Sequence, residues 1–374
     1  METCRICGEQ LKSILVYKNT PRIVQNLPDE KEIINDTGID LEIYQCQFCG
    51  TMQHILEPVP YFKDVIRSAA VSPELLESKQ KQLGEFIGKY CLEGKSILEV
   101  GCGKGEFLSL LNGCNVDAVG LENSIASVNV CAENGLQAIN GFIDSKHDKL
   151  NRVFDGFVMF NFLEHLPNPK DVLKGIANNL SPEAAGIIEV PNSDMLFSEN
   201  LHSEFMLDHI FYFTRKTLIN LIEQCGFEVL DCSATRYNYV LSAVVKKRAL
   251  QNTSEMLIQS KHINSQIEAL INTCGNGKVA VWGASHQAFF VLSQIKSVGA
   301  FEFIIDSAEM KQGKYSPVSH LPVVSPAEVD FSSLALILVT AGSYSDEVCR
   351  QLKEKYCFAG KIYVLRPSGV EIYS

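Results

Sequence analysis

The sequence predicts an α/β protein with two doubly wound, mostly parallel sheets that follow a small cysteine-rich segment. Three observations lead to this prediction. Short apolar runs alternate with helical segments in two stretches, a glycine-rich turn follows the first run, and four cysteines form two close pairs near the N-terminus. The chain has 374 residues, more than a single core usually supports, so two or three domains are expected.

Composition and charge limit the classes of protein to which this chain could belong. Hydrophobic residues make up 46% and charged residues 21%, as in soluble globular proteins. The net charge of −11 and the lack of a basic stripe argue against nucleic acid as a partner. The longest apolar runs, such as Leu334–Val339, are too short to cross a bilayer, and the N-terminus lacks an apolar signal core. We therefore expect a cytoplasmic protein without a membrane partner, while the oligomeric state stays open.

Residues 1–60 are predicted to form a zinc-binding module. They contain two Cys-x-x-Cys pairs, each followed by glycine, at Cys4 and Cys7 and at Cys46 and Cys49. Four thiolates in two such turns match a tetrahedral structural zinc (Zn2+) site. A segment this short buries too little apolar surface to fold alone, so the metal would supply the missing stability. The alternative is a module with two unmetalled, redox-inert pairs.

Residues 73–247 are predicted to form the first doubly wound domain. Its helices are predicted at Pro73–Lys89 and Arg215–Cys225. Its strands are predicted at Ser96–Val100, Asp117–Leu121, Gln137–Ile139, Gly156–Phe160, Gly186–Val190, Glu228–Ser233 and Leu241–Val245. This alternation predicts a mostly parallel sheet with helices on both faces.

The first strand of this domain runs into a turn with a ligand-binding pattern. Glu99 stands near the end of the strand, and Gly101, Gly103 and Gly105 follow before the next helix. Glycines here let the backbone approach a ligand and adopt conformations that a side chain would forbid. The next strand ends in Glu122, roughly 20 residues after the first glycine, where doubly wound sheets place a carboxylate against ribose hydroxyls.

The position of Glu99 distinguishes this turn from a dinucleotide site. A carboxylate there would repel a pyrophosphate and attract a cationic ligand that bears an amino acid. These residues resemble the first motif of the S-adenosylmethionine-dependent class I methyltransferases. The resemblance implies that Glu99, the three glycines and Glu122 bind S-adenosyl-L-methionine, with Phe142 against the adenine and Asn161 nearby. Phe142 could instead be a core residue, and Asn161 could bond only to backbone.

Residues 248–275 and 276–374 are predicted as a connecting helix and a second, smaller α/β domain. The elements are a helix at Ser254–Thr273, strands at Val279–Trp282, Phe301–Ile305 and Leu334–Val339, and a helix at Gln287–Ile295. The turn Gly283-Ala284-Ser285 is an incomplete glycine fingerprint. A degenerate Rossmann-like domain that packs or grips substrate is therefore favoured over a dinucleotide site.

The order of these parts resembles the nucleotide-sugar C-methyltransferases of deoxysugar biosynthesis, over essentially the whole chain. The matching stretches are Asn161-x-x-x-His165, Glu189-Val190-Pro191, Asp208-His209-x-x-Tyr212-Phe213 and the loop from Asp306 to Pro317. The resemblance implies a Rossmann-like class I methyltransferase domain between an N-terminal zinc-binding module and a C-terminal degenerate Rossmann-like domain. The acceptor would be a small molecule, a sugar linked to a nucleotide.

Methylation of a sugar carbon requires removal of a proton beside a ketone, so a base must face the substrate. Histidine, with a pKa near ~6.5, is the natural base at neutral pH. The resemblance implies that His209 is the base, that Asp208 orients or polarises it, and that His165 contacts the sugar or the enolate oxygen. His209 could instead be a core histidine, and His165 could only shape a turn.

The sequence departs from the family pattern at two tyrosines. The family places one tyrosine three positions before its signature histidine, where this chain has Met206. A second is expected shortly after the zinc module, and Tyr61 and its neighbours show no clear match. The signature glutamate is Asp208 here. These departures keep two other functions open, namely O-methylation of a sugar hydroxyl and a catalytically silent binding subunit.

Overall fold

A computed structural model describes residues 2–25, 27–64 and 71–373. The chain divides into two compact units, Met1–Ala249 and Leu250–Ser374. The helix at Ser254–Thr273 belongs to the second unit. Among the described residues, no helix combines the length and apolar character that a bilayer span requires.

The first unit begins with a small antiparallel sheet, which we call the cysteine module. Its strands are β1 (Leu11–Thr20), β2 (Ile39–Cys46) and β3 (Met52–Gln53). In β2, Leu41 and Ile43 are fully buried, and Glu42 between them is not, which is the alternation of a strand with one face covered. The cysteine pairs lie at the two ends of this sheet segment, before β1 and at the turn after β2.

A seven-stranded sheet forms the centre of the first unit, and we call it the large sheet. Its strands are β4 (Ser96–Val100), β5 (Asp117–Glu122), β6 (Ala138–Asn140), β7 (Phe154–Phe160), β8 (Leu180–Pro191), β10 (Phe227–Thr235) and β11 (Val240–Lys247). They are ordered β10-β11-β8-β7-β4-β5-β6, and all pairs are parallel except β10 with β11 and β11 with β8. The predicted doubly wound fold class is confirmed.

Among the described residues of the first unit, six α-helices accompany this sheet. They are α1 (Pro73–Lys89), α2 (Glu106–Asn112), α3 (Ile125–Glu133), α4 (Pro169–Asn178), α5 (Ser193–Ser198) and α6 (Arg215–Glu223). Helix α1 begins where the Ser72 hydroxyl accepts a hydrogen bond from the N–H of Leu75, with proline at the first helical position. Its buried residues Leu83, Phe86 and Ile87 pack in one cluster with Ile97 of β4. Leu98 and Val100 of β4 belong to a second apolar cluster, so side chains of this strand contact apolar neighbours on both faces, as expected for a central parallel strand.

A two-residue strand, β9 (Phe211–Tyr212), joins the cysteine module to the large sheet. It pairs antiparallel with β3, so that the small sheet has the order β1-β2-β3-β9. The N–H of His54 donates to the carbonyl of Ile210 at 3.1 Å, and the N–H of Ile210 donates to the carbonyl of Glu164 at 2.9 Å. The segment before β9 is therefore held between the cysteine module and the chain that follows β7.

The second unit is a six-stranded sheet with three helices. Its strands are β12 (Lys278–Trp282), β13 (Phe301–Ile305), β14 (Val323–Val324), β15 (Leu334–Val339), β16 (Lys361–Arg366) and β17 (Gly369–Ile372), in the order β14-β13-β12-β15-β16-β17. Its helices are α7 (Ser254–Thr273), α8 (His286–Gln294) and α9 (Ser345–Glu354). All strand pairs are parallel except β16 with β17.

In the turn after β12, the polar groups form hydrogen bonds with one another within the protein. The carboxylate of Asp306 accepts hydrogen bonds from the N–H of Ala284 at 2.7 Å and from Nζ of Lys311 at 3.0 Å. In a dinucleotide site, a carboxylate at this place would bind ribose hydroxyls. These internal contacts agree with a degenerate Rossmann-like unit.

Candidate functional site

The glycine-rich turn between β4 and α2, residues 101–105, has a backbone that requires glycine. The φ angles of Gly101, Gly103 and Gly105 are +71°, +57° and +90°, all in the left-handed region. A Cβ atom on Gly105 would lie only 2.5 Å from Cδ1 of Leu136. We call this segment the donor turn, after the methyl donor that the sequence predicts here. Its three glycines expose main-chain atoms, without side chains, at the end of β4.

Two buried carboxylates stand beside the donor turn, as the sequence predicts. Glu99 and Glu122 each expose only 1% of their surface. The Glu122 carboxylate accepts hydrogen bonds from the N–H of Gly103 and from the N–H of Ser124, both at 2.9 Å. It therefore joins the donor turn to the start of α3. Each carboxylate oxygen has two lone pairs, so further donors such as ribose hydroxyls can still be accepted.

Phe142, predicted as an adenine contact, lies close to the donor turn. Its ring makes edge contacts with Phe62 and Phe162, at centroid distances of 6.4 and 6.2 Å. Nζ of Lys63 lies 4.6 Å from the centre of the same ring. Phe142 and Gly101 line one small cavity. The structure thus brings the predicted aromatic contact and the donor turn to the same place.

The chain that leaves β7 forms the second half of the site. Asn161 adopts a left-handed conformation with φ of +48°, and its N–H donates to the carbonyl of Glu189 at 2.8 Å. A short 3-10 turn, Leu163–His165, follows. Asn161 and His165 line a small cavity together with Tyr61. Both predicted residues are therefore at the carboxyl edge of the large sheet, where doubly wound proteins bind ligands.

Glu164, His165 and His209 form a compact group that we call the histidine cluster. One side-chain N or O atom from each lies within 4.8 Å of the others, and the two imidazole rings are 4.8 Å apart at 71°. Nδ1 of His165 lies 2.7 Å from the main-chain oxygen of Asp208, to which it must donate. In the neutral ring, Nε2 of His165 therefore carries a lone pair and acts as an acceptor.

Burial sets the protonation of this cluster. Desolvation lowers the pKa of His165, and it lowers the pKa of His209 well below its usual value, with a further decrease from the neighbouring His165. Burial also raises the pKa of the Glu164 carboxyl to about 8. All three groups are therefore uncharged near neutral pH, so each imidazole has a nitrogen free to accept a proton.

Tyr61, for which the sequence shows no clear match to the family tyrosine, lies beside the histidine cluster and lines the same small cavity as His165. Its hydroxyl donates to Oδ1 of Asp208 at 2.7 Å. Burial and the Asp208 charge raise the pKa of Tyr61, which keeps the phenol protonated. Its position shortly after the second cysteine pair was the available signal, but spacing alone does not show that this loop folds back onto Asp208.

The Asp208 carboxylate has a different partner from the one predicted. Among the described residues, its hydrogen bond goes to Tyr61, and no bond joins it to the His209 ring. Its main-chain oxygen instead fixes His165. The role predicted for Asp208 toward His209 therefore stays a prediction without a direct contact.

At the family tyrosine position, the backbone of Met206 is fixed by Tyr212. The Tyr212 hydroxyl accepts from the N–H of Met206 and donates to its carbonyl, both at 2.9 Å. The Tyr212 phenol stabilises the loop before His209, and it does not replace the tyrosine that the family has at the position of Met206.

The four cysteines of the module lie together. Sγ of Cys4 is 3.7 Å from Sγ of Cys49, and Sγ of Cys7 is 3.4 Å from Sγ of Cys46, with all four sulfurs within 4.8 Å of one another. A zinc tetrahedron with Zn–S bonds of about 2.3 Å has sulfur–sulfur edges of about 3.8 Å. The donor set and its dimensions therefore fit a structural zinc ion. His54 lies apart, since its Nε2 is 3.0 Å from the carbonyl of Leu207.

Sequence reasoning missed a buried ion pair next to the site. Nζ of Lys79, from α1, pairs with Oε2 of Glu189, near the end of β8, and both side chains are at most 5% exposed. Nε2 of Gln82 donates to the other Glu189 oxygen at 2.6 Å. Nζ of Lys79 also lies 3.9 Å from the centre of the Phe160 ring. A contact between residues 110 positions apart leaves no trace in local sequence patterns.

Comparisons with known proteins agree with this organisation. Residues 74–231 match a family profile described as a methyltransferase domain, and residues 254–367 match one described as a C-methyltransferase C-terminal domain. The C-methyltransferase NovU from Streptomyces niveus is 24% identical to this chain over 407 aligned positions, which cover 98% of this chain and 96% of that protein.

Two solved structures are similar to a little under half of this chain. An S-adenosylmethionine-dependent methyltransferase from Clostridium acetobutylicum has a TM-score of 0.39 and 12% identity, and covers 46% of this chain and 92% of its own. The plantazolicin methyltransferase BpumL, in complex with S-adenosylhomocysteine, has a TM-score of 0.35 and 16% identity, over 47% of this chain and 91% of its own. The full-length similarity to NovU is the more extensive relationship.

Proposed function

We propose that this chain is a class I S-adenosylmethionine-dependent C-methyltransferase and that it methylates a carbon atom of a ketosugar linked to a nucleotide. The observation that carries this proposal is the convergence of Tyr61, Asp208 and the histidine cluster at the carboxyl edge of β7. This edge also carries the donor turn, one strand away on β4. A base, a protonated phenol and the methyl donor would therefore meet at one place.

His209 removes the proton from the carbon beside the ketone. Burial keeps the ring uncharged near neutral pH, so a ring nitrogen has a lone pair for this proton, and the negative charge of the enolate would stabilise the imidazolium that burial otherwise disfavours. The electron pair of the broken C–H bond enters the enolate, and the enolate carbon forms the new bond to methyl. When bound, S-adenosylmethionine supplies that methyl group on a sulfonium sulfur, which leaves with the electrons of its own bond.

His165 and Tyr61 position the acceptor. The bond from Nδ1 of His165 to the Asp208 carbonyl leaves Nε2 as an acceptor, which suits a sugar hydroxyl. Tyr61 lines the same cavity, and its single hydroxyl proton is donated to Asp208, so it would donate to the enolate oxygen only by exchanging that partner. The alignment of acceptor carbon and methyl group is the main contribution of the protein.

The cysteine module contributes through β9 in this proposal. A zinc ion at Cys4, Cys7, Cys46 and Cys49 would fix the small sheet, to which β9 is paired. The residues before β9 include Asp208 and His209. The metal would thus have a structural role and would not take part in the reaction.

Proton exchange at the ketosugar carbon tests the proposed base. The purified protein, with S-adenosylhomocysteine bound, is incubated in deuterium oxide with ketosugars carried on thymidine or uridine diphosphate. We expect deuterium to enter beside the ketone of the substrate and the His209→Ala variant to abolish this exchange without a change in S-adenosylhomocysteine affinity. Exchange at the wild-type rate in the variant would remove His209 from the mechanism.

A further inference from the structure

The proposed reaction gives no role to Glu164, although this residue belongs to the histidine cluster. Glu164 is only 1% exposed, and its Oε2 forms no hydrogen bond with any described residue. A buried carboxyl group without a partner loses its hydration and gains nothing in exchange. In native folds, such a group commonly has a catalytic role or lies beside a bound water or ion.

Two imidazole rings lie close to this carboxyl group. Oε1 of Glu164 is 3.8 Å from Nε2 of His165, and one ligand atom each of Glu164, His165 and His209 lies within 4.8 Å of the others. Metal bonds of about 2.0–2.2 Å to nitrogen and oxygen place two ligand atoms of one ion roughly 3–4 Å apart. Side-chain rotations that move these atoms by on the order of 1 Å would therefore bring all three to a single ion.

His165 has the orientation of a metal ligand. Its Nδ1 donates to the main-chain oxygen of Asp208 at 2.7 Å, so the lone pair of the neutral ring is on Nε2, on the side of Glu164. Metal-bound histidines usually donate their other ring N–H to a carbonyl or carboxylate oxygen, because this contact fixes the tautomer and the ring orientation. The residue that accepts this bond directly precedes His209, so one segment orients the first imidazole and carries the second.

A fourth coordination position is available beside the cluster. His165 lines the small cavity that Tyr61 and Asn161 also line, and its volume is about 20 Å³. This volume is sufficient for one water molecule. Two imidazoles, one carboxylate and a water form a ligand set that suits Zn2+ and other transition-metal dications, whereas Mg2+ and Ca2+ prefer oxygen ligands alone.

We propose that the histidine cluster is a second metal site, at which Glu164, His165 and His209 bind a transition-metal dication such as Zn2+. The ion compensates the charge of the buried carboxylate. It also occupies the single lone pair of the neutral His209 ring, which then cannot take a proton from the substrate. Metal binding is therefore inhibitory, and the metal and the ketosugar exclude each other. The metal site does not depend on the proposed function, and only its inhibitory effect rests on that function.

Titration of the full, zinc-loaded chain with Co2+ tests the site, because Co2+ bound by nitrogen and oxygen ligands absorbs visible light. Zinc is measured after the titration, to show that the cysteine module has kept its own ion. We expect the wild type to bind about one Co2+ per chain. Glu164→Gln, which nearly preserves side-chain size, and His209→Ala should each weaken the affinity for Co2+ by about 10-fold or more. Glu199→Gln and His147→Ala, at exposed positions, are the matched controls and should leave this affinity unchanged.

The inhibitory effect is measured with Zn2+ added beyond the amount that the cysteine module binds. Because the ion and the ketosugar exclude each other, we expect the apparent KM for the ketosugar to rise and kcat to stay unchanged. The affinity for S-adenosylhomocysteine, measured for each variant, shows that the variant is folded.

Two results would overturn the metal site. One is a wild type that binds no Co2+ in addition to the zinc of the cysteine module. The other is an affinity for Co2+ that both Glu164→Gln and His209→Ala leave unchanged, since the ion would then lie elsewhere. Methyl transfer that bound metal does not slow would refute the inhibitory effect. Co2+ binding at the cluster without methyl transfer to any ketosugar would contradict only the proposed function, and methyl transfer without Co2+ binding would contradict only this inference.

Discussion

The protonation state of His209, the proposed base, depends on its burial. A charged imidazole loses hydration in this position, and the neighbouring His165 would add a like charge, so both effects favour the uncharged ring. Sequence predicted this histidine from its motif, but its protonation depends on packing that only the fold shows. Tyr61 differs, because no motif identified it from the sequence. Its hydrogen bond to Asp208 could be found only from the fold.

The pH dependence of kcat/KM follows from the lowered pKa of His209. A base whose pKa is below its usual value stays unprotonated as the pH falls through about 6.5, the ordinary histidine range. We therefore expect activity to persist through that range and to decline only at lower pH. The check is a pH profile of kcat/KM with a ketosugar substrate. An acid limb at or above the ordinary range would show that the essential base is not this buried ring.

Tyr61→Phe removes the hydroxyl that donates to the Asp208 carboxylate. The loss leaves the buried Asp208 side chain without this donor and disturbs the segment whose main chain fixes His165, so we expect kcat to fall by about 10-fold or more through poorer alignment of the acceptor. The affinity for S-adenosylhomocysteine should not change. Tyr44→Phe in β2 serves as the control for loss of a phenol in the same unit. Wild-type kcat in Tyr61→Phe would assign this tyrosine a role in packing alone.

At the scale of elements, regular and long segments were predictable and short ones were not. Helix α1 and strand β4 have the bounds that the sequence predicts, because apolar periodicity and caps mark them. Strands β3 and β9 have two residues each and show no periodicity, so their pairing could not be predicted. Yet this pairing connects the cysteine module to the segment that carries His209.

Gly105→Ala tests the donor turn at the start of α2. The residue has a φ of +90°, and an added Cβ would lie 2.5 Å from Leu136. We expect a loss of stability of about 1–2 kcal/mol from the left-handed backbone, and weaker binding of S-adenosylhomocysteine. Gly84→Ala is the matched control, because Gly84 lies in α1 with open space around it and should gain helix stability. Equal effects of the two variants on binding would contradict the assignment of this turn.

Cys46→Ser tests the metal and its connection to β9. We expect about one zinc ion per chain in the wild type by elemental analysis, and loss of zinc with aggregation or a lower melting temperature in the variant. Cys357→Ser, at an exposed cysteine, is the control and should change neither quantity. A wild-type protein that is fully folded without metal would refute the structural zinc site.

At the scale of the whole molecule, the fold class was predictable because two long stretches alternate strand and helix. Both units have mostly parallel sheets, and the incomplete glycine fingerprint of the second correctly indicated a degenerate unit, in which Asp306 is bonded to Ala284 and Lys311. Contacts between distant segments, such as Lys79 with Glu189, depend on the assembled sheet. The contacts of Asp208 with Tyr61 and with His165 also join distant segments, so sequence alone could not predict them.

The most direct test of the account is the position of the transferred methyl group. The protein is incubated with S-adenosylmethionine that carries a 13C-labelled methyl group and with ketosugars on thymidine or uridine diphosphate, and the product is analysed by NMR. The account predicts a labelled methyl bonded to the sugar carbon beside the ketone. A labelled methyl on a sugar oxygen would contradict it, as would a protein that binds S-adenosylhomocysteine but transfers no methyl group to any of these ketosugars.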